Sequence, residues 1–294
     1  MAMSLIIIVA LVTKRRDSIQ CKIGPKRVAC NNGAGGLKKG ASNYKPMMFN
    51  RKEKLKGVIL AGGLGTRLYP LTKVTSKHLL PVGNEPMVFH SVKQLTTAGI
   101  TDILIVTNPQ YVGDFVKVLG GGSDFGCELT YRVQEEAKGI AHALALAEGF
   151  ANGSRIAVLL GDNIFETSIQ QAVNDFHTQQ QGARVLLKQV SDPERYGVAT
   201  LNGRHIVAIE EKPKRPKSDY AVVGVYFYDA SVFDIIRTVE PSARGEYEIT
   251  AVNNAYIQRG ELEYSLVQGE WIDAGTFESL AEAHQILLNS SDWQ

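Results

Sequence analysis

Cysteine is scarce in this chain: Cys21, Cys30 and Cys127 are the only three in 294 residues. Two of them fall in the first 30 residues, so the remainder carries a single thiol. One thiol cannot build an internal disulfide framework or a cysteine-type metal cluster, and such usage suits the reducing cytosol. Long apolar runs are missing too. The run near the start, residues 5–12, has eight residues, where a membrane-spanning helix takes about 20. A secretory signal would place its positive charge before such a run; here Lys14, Arg15 and Arg16 follow it. A basic patch is absent from most of the chain. The formal net charge of +2 conceals a division, with thirteen Lys or Arg and two acids in residues 1–56 but nineteen against twenty-eight in residues 57–294. The acidic main part argues against nucleic acid as a partner, and the lack of a spanning segment argues against a membrane.

What is present divides at about residue 50. Residues 1–50 are basic, and the stretch NNGAGGLKKGAS is poor in apolar residues and rich in Gly. This leader is expected to be disordered. A mis-assigned start, with Met47 or Met48 as the natural one, and an added leader are the plain readings; a basic tail touching RNA or anionic lipid is the functional one. Residues 55–290 read as one folded domain. Strand-like apolar runs at GVILA (57–61), DILIVTN (102–108), CELTYRVQ (127–134) and RIAVLLGDN (155–163) alternate with helical patterns at 86–99, near 110–119 and at 139–150. That alternation predicts an α/β fold with a mostly parallel central sheet flanked by helices. After residue 183 the runs RVLLKQV, YGVATL, RHIVAIEE and YAVVGVYFY predict a smaller β-rich part, interrupted by helices near 230–238 and 247–259, with a last strand in GEWIDAG and a closing helix.

The stretch GVILAGGLGTRL (57–68) joins the first strand to a glycine-rich loop. It is not the dinucleotide fingerprint, because Leu68 stands where a third Gly belongs, and not a P-loop, because Thr66 and Arg67 follow Gly65. Glycines let backbone N–H groups close around an anion, and an arginine offers a planar charged fork for phosphate oxygens. Further along, SKHLLPV brings Lys77, GDN puts Asp162 just past a buried strand, EEKP sets Glu211 and Lys212 at another strand end, and WIDAGT places Asp273 at a strand-to-turn junction. Two acids and several cations at strand ends make a plausible Mg²⁺–triphosphate site, since Mg²⁺ takes one or two carboxylates plus phosphate oxygens. Each piece has a plain alternative, such as a solvated charge pair at Glu211 and Lys212 or a core aromatic at Tyr196. His78 and His142 receive no role.

Residues 57–280 resemble the sugar-1-phosphate nucleotidyltransferases, and within them the bacterial glucose-1-phosphate thymidylyltransferases. The resemblance is carried in order by AGGLGTRLYPLT, SKHLLPV, Val133 and Gln134 with Gly139, LLGDN, DPERYGV, EEKP, YAVVGVYFYD, RGEYEIT and WIDAGT. It implies a Rossmann-like fold and Mg²⁺-dependent nucleotidyl transfer from dTTP to glucose 1-phosphate. It also implies roles. Leu60, Ala61, Gly62, Gly63, Gly65 and Thr66 would cradle the nucleotide, and Gln134 and Gly139 would read the thymine edge. Arg67 would hold the β- and γ-phosphates, Lys77 would sit near the α-phosphate, and Asp162 and Asp273 would hold Mg²⁺. Lys212 would meet the sugar phosphate, Glu211 would accept sugar hydroxyls, and Tyr196, Gly197 and Val223 would line the sugar pocket. The chain departs from the family at Ala251, where an acid is common, at Val223, where Thr is common, and in ending at Gln294, where many relatives continue into a tail that builds a second nucleotide site and supports a homo-oligomer. UTP or another sugar 1-phosphate as substrate, and a non-catalytic regulatory homologue, are the competing readings.

Overall fold

The computed structural model describes residues 54–289; the expectations for residues 1–50 lie outside the described residues. In chain order the first half runs β1 (Lys56–Ala61), the short hairpin β2 (Pro81–Val82) and β3 (Glu85–Pro86), α1 (Met87–Thr97), β4 (Asp102–Thr107), α2 (Val112–Leu119), β5 (Glu128–Val133), α3 (Ile140–Ala145), α4 (Glu148–Ala151), β6 (Ile156–Leu160), β7 (Asn163–Phe165) and α5 (Gln170–Thr178). The second half runs β8 (Ala183–Gln189), β9 (Gly197–Asn202), β10 (His205–Glu211), β11 (Tyr220–Tyr228), α6 (Val232–Ile236), α7 (Ile249–Arg259), β12 (Leu262–Leu266), β13 (Trp271–Asp273) and α8 (Phe277–Asn289). Among the described residues no helix is long and apolar enough to cross a membrane.

Strands β6, β1, β4 and β5 lie side by side and parallel. The three inner strands β6, β1 and β4 are almost wholly apolar because both faces are covered, as a parallel sheet of crossover units requires, while the edge strand β5 alternates exposed and buried residues. Val58 and Leu60 face one core with Leu144, Tyr226 and Tyr256. Ile59 and Ala61 face the other with Val92, Phe115 and Phe176. Helix α1 turns Val88, Val92 and Leu95 inward at helical spacing, as the sequence predicts.

The β-rich second half is an extension of this same sheet. Strand β11 pairs antiparallel with β6 through its second half and with β9 through Ala221 and Val222. Strand β8 pairs with β11 alongside both segments, so β6 and β9 occupy the same edge of β11, one after the other. Both run antiparallel to β11, and β6 therefore ends where β9 begins. The sheet forks there, and the fork opens a cleft at the carboxyl ends of β1 and β6, the usual ligand position in open α/β sheets. Two further details differ from expectation. The helical stretch at 139–150 breaks into α3 and α4, because Leu146 N–H and Ala147 N–H bond back three residues, to Ala143 O and Leu144 O, and tighten the turn. Strand β12, parallel to β8, has Leu262 buried against that sheet.

Candidate active site

Beyond β1 the chain enters the glycine loop. Gly65 takes a left-handed conformation with φ 65°, and Thr72 Oγ1 donates to its carbonyl at 2.6 Å, pinning the loop from behind. Lys77 folds back over the loop: a Cβ on Gly63 would come 3.3 Å from Lys77 Cε. Its ammonium donates to Asp162 Oδ2, and both side chains are nearly buried, at 12% and 13% exposure.

The second acid reaches this point through a three-residue pairing. Strands β7 and β13 are antiparallel with Asn163 opposite Asp273, and Ala274 N–H donates to Asp162 O at 2.9 Å. The two carboxylates so converge from distant parts of the chain. Asn163 is the node: its Oδ1 accepts from Gly224 N–H at 3.1 Å and from Trp271 Nε1 at 2.7 Å, while its Nδ2 donates to Asp162 Oδ1 at 3.0 Å. Arg67, more than half exposed, lies 3.9 Å from Asp273 Oδ2. Burial first, and then the Asp162 charge, push the Asp273 carboxyl up to about 6. Burial would also raise Asp162, but the Lys77 ammonium and the Asn163 amide together outweigh it and hold that carboxyl well below its ordinary value. Asp273, buried beside a second carboxylate and with its nearest cation, Arg67, 3.9 Å away, is in a setting that favours a further cation. Among the described residues no group of three or more His, Cys, Asp or Glu side chains could hold a metal. Two carboxylates suit Mg²⁺, which leaves most of its positions to water or phosphate, and do not suit a closed Zn²⁺ site.

Two adjoining cavities meet at Asp162. One, of about 440 Å³, is lined by Leu60, Gly62, Gly63, Gly65, Thr66, Lys77, Gln134 and Gly139 from the expected set. The other, of about 200 Å³, is lined by Arg67, Tyr196, Gly197, Glu211, Lys212 and Asp273. Thr250 Oγ1 donates to Glu211 Oε2 at 2.6 Å, and Tyr196 packs edge-on against Trp271. Lys212 sits at φ 45°, a conformation side chains other than Gly and Asn seldom adopt, and its N–H donates to Tyr196 O at 2.9 Å. A larger hollow of about 610 Å³ lies between α5 and β12, away from the glycine loop and both acids.

Two expected residues are displaced. Val223 is fully buried in the core with Ala221 and Val225, and the strand alternation points its neighbours Val222 and Gly224 into the second cavity instead. A hydroxyl at position 223 would therefore not face that cavity. Ala61 is also fully buried, in the core beneath the loop, and does not line the first cavity. Ala251 lies in the first turn of α7 and outside both cavity walls. Sequence reasoning missed Arg195, Arg244, Glu246, Glu248, Thr250 and Trp271, which line the second cavity. It also left out His78, which lines the first. The clustered charges of RGEYEIT were the available signal for three of them.

Gly139 shapes the first cavity through a close approach. It has φ 102°, and a Cβ there would fall 2.6 Å from Tyr247 O and 2.8 Å from Tyr247 N. Gly139→Ala should cost about 2–3 kcal/mol from the strained backbone and the forced shift. Urea unfolding checks this, and a loss below about 1 kcal/mol would mean the Tyr247 segment yields freely. His78 offers a pH signature. Burial, aided by the Lys77 ammonium and opposed by Asp162, pushes its imidazole down to about 3. The unfolded state then binds a proton near 6.5 that the folded state refuses until about 3, so stability is full above 6.5 and is lost as pH falls through that window. Between pH 7.5 and 5 this amounts to about 2 kcal/mol. The difference in unfolding midpoint between those pH values should shrink in His78→Gln; an unchanged difference would contradict a neutral buried imidazole.

Residues 56–290 match the family model described as nucleotidyl transferase. The chain belongs to the nucleotidyl transferase family, and it is an enzyme of that class. Among curated relatives, the glucose-1-phosphate thymidylyltransferase of Neisseria meningitidis is 46% identical over 78% of this chain and 81% of its own length. That of Mycolicibacterium smegmatis is also 46% identical, with the same coverage. A Bacillus anthracis structure assigned to the same activity, solved with a sucrose, superposes with a TM-score of 0.76 at 55% identity, covering 79% of this chain and 94% of that one. A UDP-glucose pyrophosphorylase bound to UDP-glucose superposes with a TM-score of 0.71 at 25% identity, over 79% of this chain and 97% of that one.

Proposed function

We propose that this enzyme transfers a thymidylyl group from dTTP to glucose 1-phosphate, releasing pyrophosphate and forming dTDP-glucose, with Mg²⁺ as cofactor and in the cytosol. The observation that carries the reading is the meeting of two adjoining cavities at Asp162, with Glu246 also on both walls. One cavity has a glycine loop and a lysine suited to a triphosphate; the other has Glu211 and Lys212 suited to a sugar phosphate. The names of the relatives support the choice of substrates.

The sugar phosphate is ionised at neutral pH and needs no general base. The obstacle is repulsion between two anions and charge building on the departing pyrophosphate, so the task is positioning and electrostatic stabilisation. Its phosphate oxygen forms a bond to the α-phosphorus as the bond to the β-phosphate oxygen breaks, in line. Lys212 and Arg244 hold the attacking phosphate, and Glu211, oriented by Thr250, accepts sugar hydroxyls. Lys77 exchanges Asp162 for the α-phosphate, and Arg67 steadies the leaving group. Asp162 and Asp273 would hold Mg²⁺, which when bound neutralises and clamps phosphate oxygens.

The test is pyrophosphate release by purified protein with glucose 1-phosphate and each of dTTP, UTP, dCTP, ATP and GTP, with Mg²⁺ and with EDTA. Strong release with dTTP that EDTA abolishes is expected. Preference for UTP would keep the chemistry and replace the substrate. Full activity in EDTA would reject the metal.

A further inference from the structure

We propose that His142 orients the side-chain amide of Gln134 and thereby decides which pyrimidine base the glycine-loop cavity accepts; this rests on the reading of that cavity as the nucleotide site. Gln134 follows the last residue of β5, and its backbone N–H donates to Thr107 O at 2.8 Å. The residue is only 5% exposed, yet it lines the cavity. Its Nε2 lies 3.0 Å from His142 Nδ1 and donates to it when the imidazole proton is on Nε2. Its Oε1 has no protein donor among the described residues and lies against the loop, where a Cβ on Gly62 would approach within 2.6 Å. The buried amide thus spends one N–H on the histidine and presents an acceptor, with one N–H remaining, to the cavity.

That arrangement carries information about a base. Thymine and uracil offer an N–H at N3 beside a carbonyl at O4, the complement of an amide that presents oxygen to N3 and nitrogen to O4. Cytosine offers the reverse pair, a bare N3 beside an amino group. A freely flipping glutamine would serve either. Flipping here would set Oε1 against the Nδ1 lone pair of His142, two acceptors facing each other in a part-buried contact, which is unfavourable. The orientation is therefore locked as long as the imidazole proton is on Nε2.

The histidine is itself held. It sits on α3, with its ring stacked on Tyr247 at 6.2 Å between centroids and 29° between planes. Tyr247 brackets Gly139, donating from its N–H to Lys138 O at 2.8 Å and accepting from Ala141 N–H at 3.1 Å. His142 does not line the cavity, so it acts through Gln134 as a positioning residue.

The experiment compares the full chain with His142→Phe and His142→Asn, measuring kcat and KM for dTTP and dCTP with glucose 1-phosphate. Phenylalanine keeps a ring on Tyr247 and removes the acceptor. The ratio of kcat/KM for dTTP over dCTP should fall about tenfold, through KM for dTTP, with kcat and the KM for glucose 1-phosphate within about twofold of the parent. Asparagine, whose amide oxygen takes the place of Nδ1, should restore the ratio. A Phe variant that discriminates as the parent does overturns the positioning role and leaves the reaction standing. Equal loss in both variants overturns it as well, since the acceptor would then be irrelevant. A parent that uses no nucleotide, or uses dTTP and dCTP alike, overturns this proposal together with the thymidylyl reading. Independently of any variant, ¹⁵N NMR of the imidazole should find the proton on Nε2; a proton on Nδ1 overturns the proposal.

Discussion

Lys77→Ala is expected to lower turnover by about 10²–10³-fold, equivalent to roughly 3–4 kcal/mol of lost transition-state stabilisation. The magnitude follows from where the ammonium sits. It is nearly buried, it lies over the glycine loop, and it reaches Asp162, which lines both cavities. A cation in such a place acts through a low local dielectric and is already positioned when charge shifts onto the phosphates. The same substitution should also weaken the fold, because Asp162 would keep only the Asn163 amide as a close partner. Removing one partner of a buried pair costs up to about 3–5 kcal/mol, and less where the cleft admits water. The sign with pH is fixed. Asp162 is held below its ordinary value in the folded state, so its contribution is present above the unfolded carboxylate value and is lost as pH falls from there toward the lower folded value. Parent and variant, unfolded without Mg²⁺, should differ most at neutral pH and converge in acid. Adding Asp162→Asn to the variant should return stability and leave turnover low. Near-parental turnover in Lys77→Ala would remove Lys77 from the proposed chemistry altogether.

The inner parallel strands were legible because burial on both faces makes them continuous apolar runs, bounded by polar turns; β1 and β4 fall within a residue of the predicted segments, and β6 ends three residues before its predicted end at 163. The same property hid the facing of β11. In a strand apolar at every position, alternation carries no signal, and only the neighbours reveal that Val222 and Gly224 turn to the cleft while Val223 turns to the core. Asp162 and Asp273 could each be suspected from their place at strand ends. Their meeting could not be read locally, because it depends on a pairing of three residues on each side, too short to leave a pattern. The segment from Arg244 to Glu248 entered the sequence reading only as part of the motif RGEYEIT, with no role for its charges, and its place on the second cavity depends on the way Tyr247 is bonded across Gly139. His142 was passed over for the same reason: its partner lies on another element, and a lone histidine in an Ala-rich helix has no sequence signature.

Asn163→Ala should lower stability by about 2–5 kcal/mol and turnover with it. The side chain is 5% exposed and satisfies three separate elements at the fork: β11 through Gly224 N–H, β13 through Trp271 Nε1, and the Asp162 carboxylate through its own Nδ2. Deleting it strands two buried donors, each at about 1–3 kcal/mol, with water in the vacated space offsetting part of the loss. Asn163→Asp separates fold from chemistry. It keeps an acceptor for Gly224 and Trp271, so most of the stability should return. It also loses the donor to Asp162 and sets a second negative charge beside it, so turnover should stay low and the Mg²⁺ requirement should change. Urea unfolding followed by tryptophan fluorescence measures the first effect, since Trp271 is one of two tryptophans in the chain and reports the broken bond directly. Pyrophosphate release against Mg²⁺ concentration measures the second. Should Asn163→Ala unfold within about 1 kcal/mol of the parent, the pairing of β7 with β13 must suffice without this node. Should Asn163→Asp recover turnover along with stability, the charge balance around Asp162 cannot be what tunes the cleft for phosphate transfer.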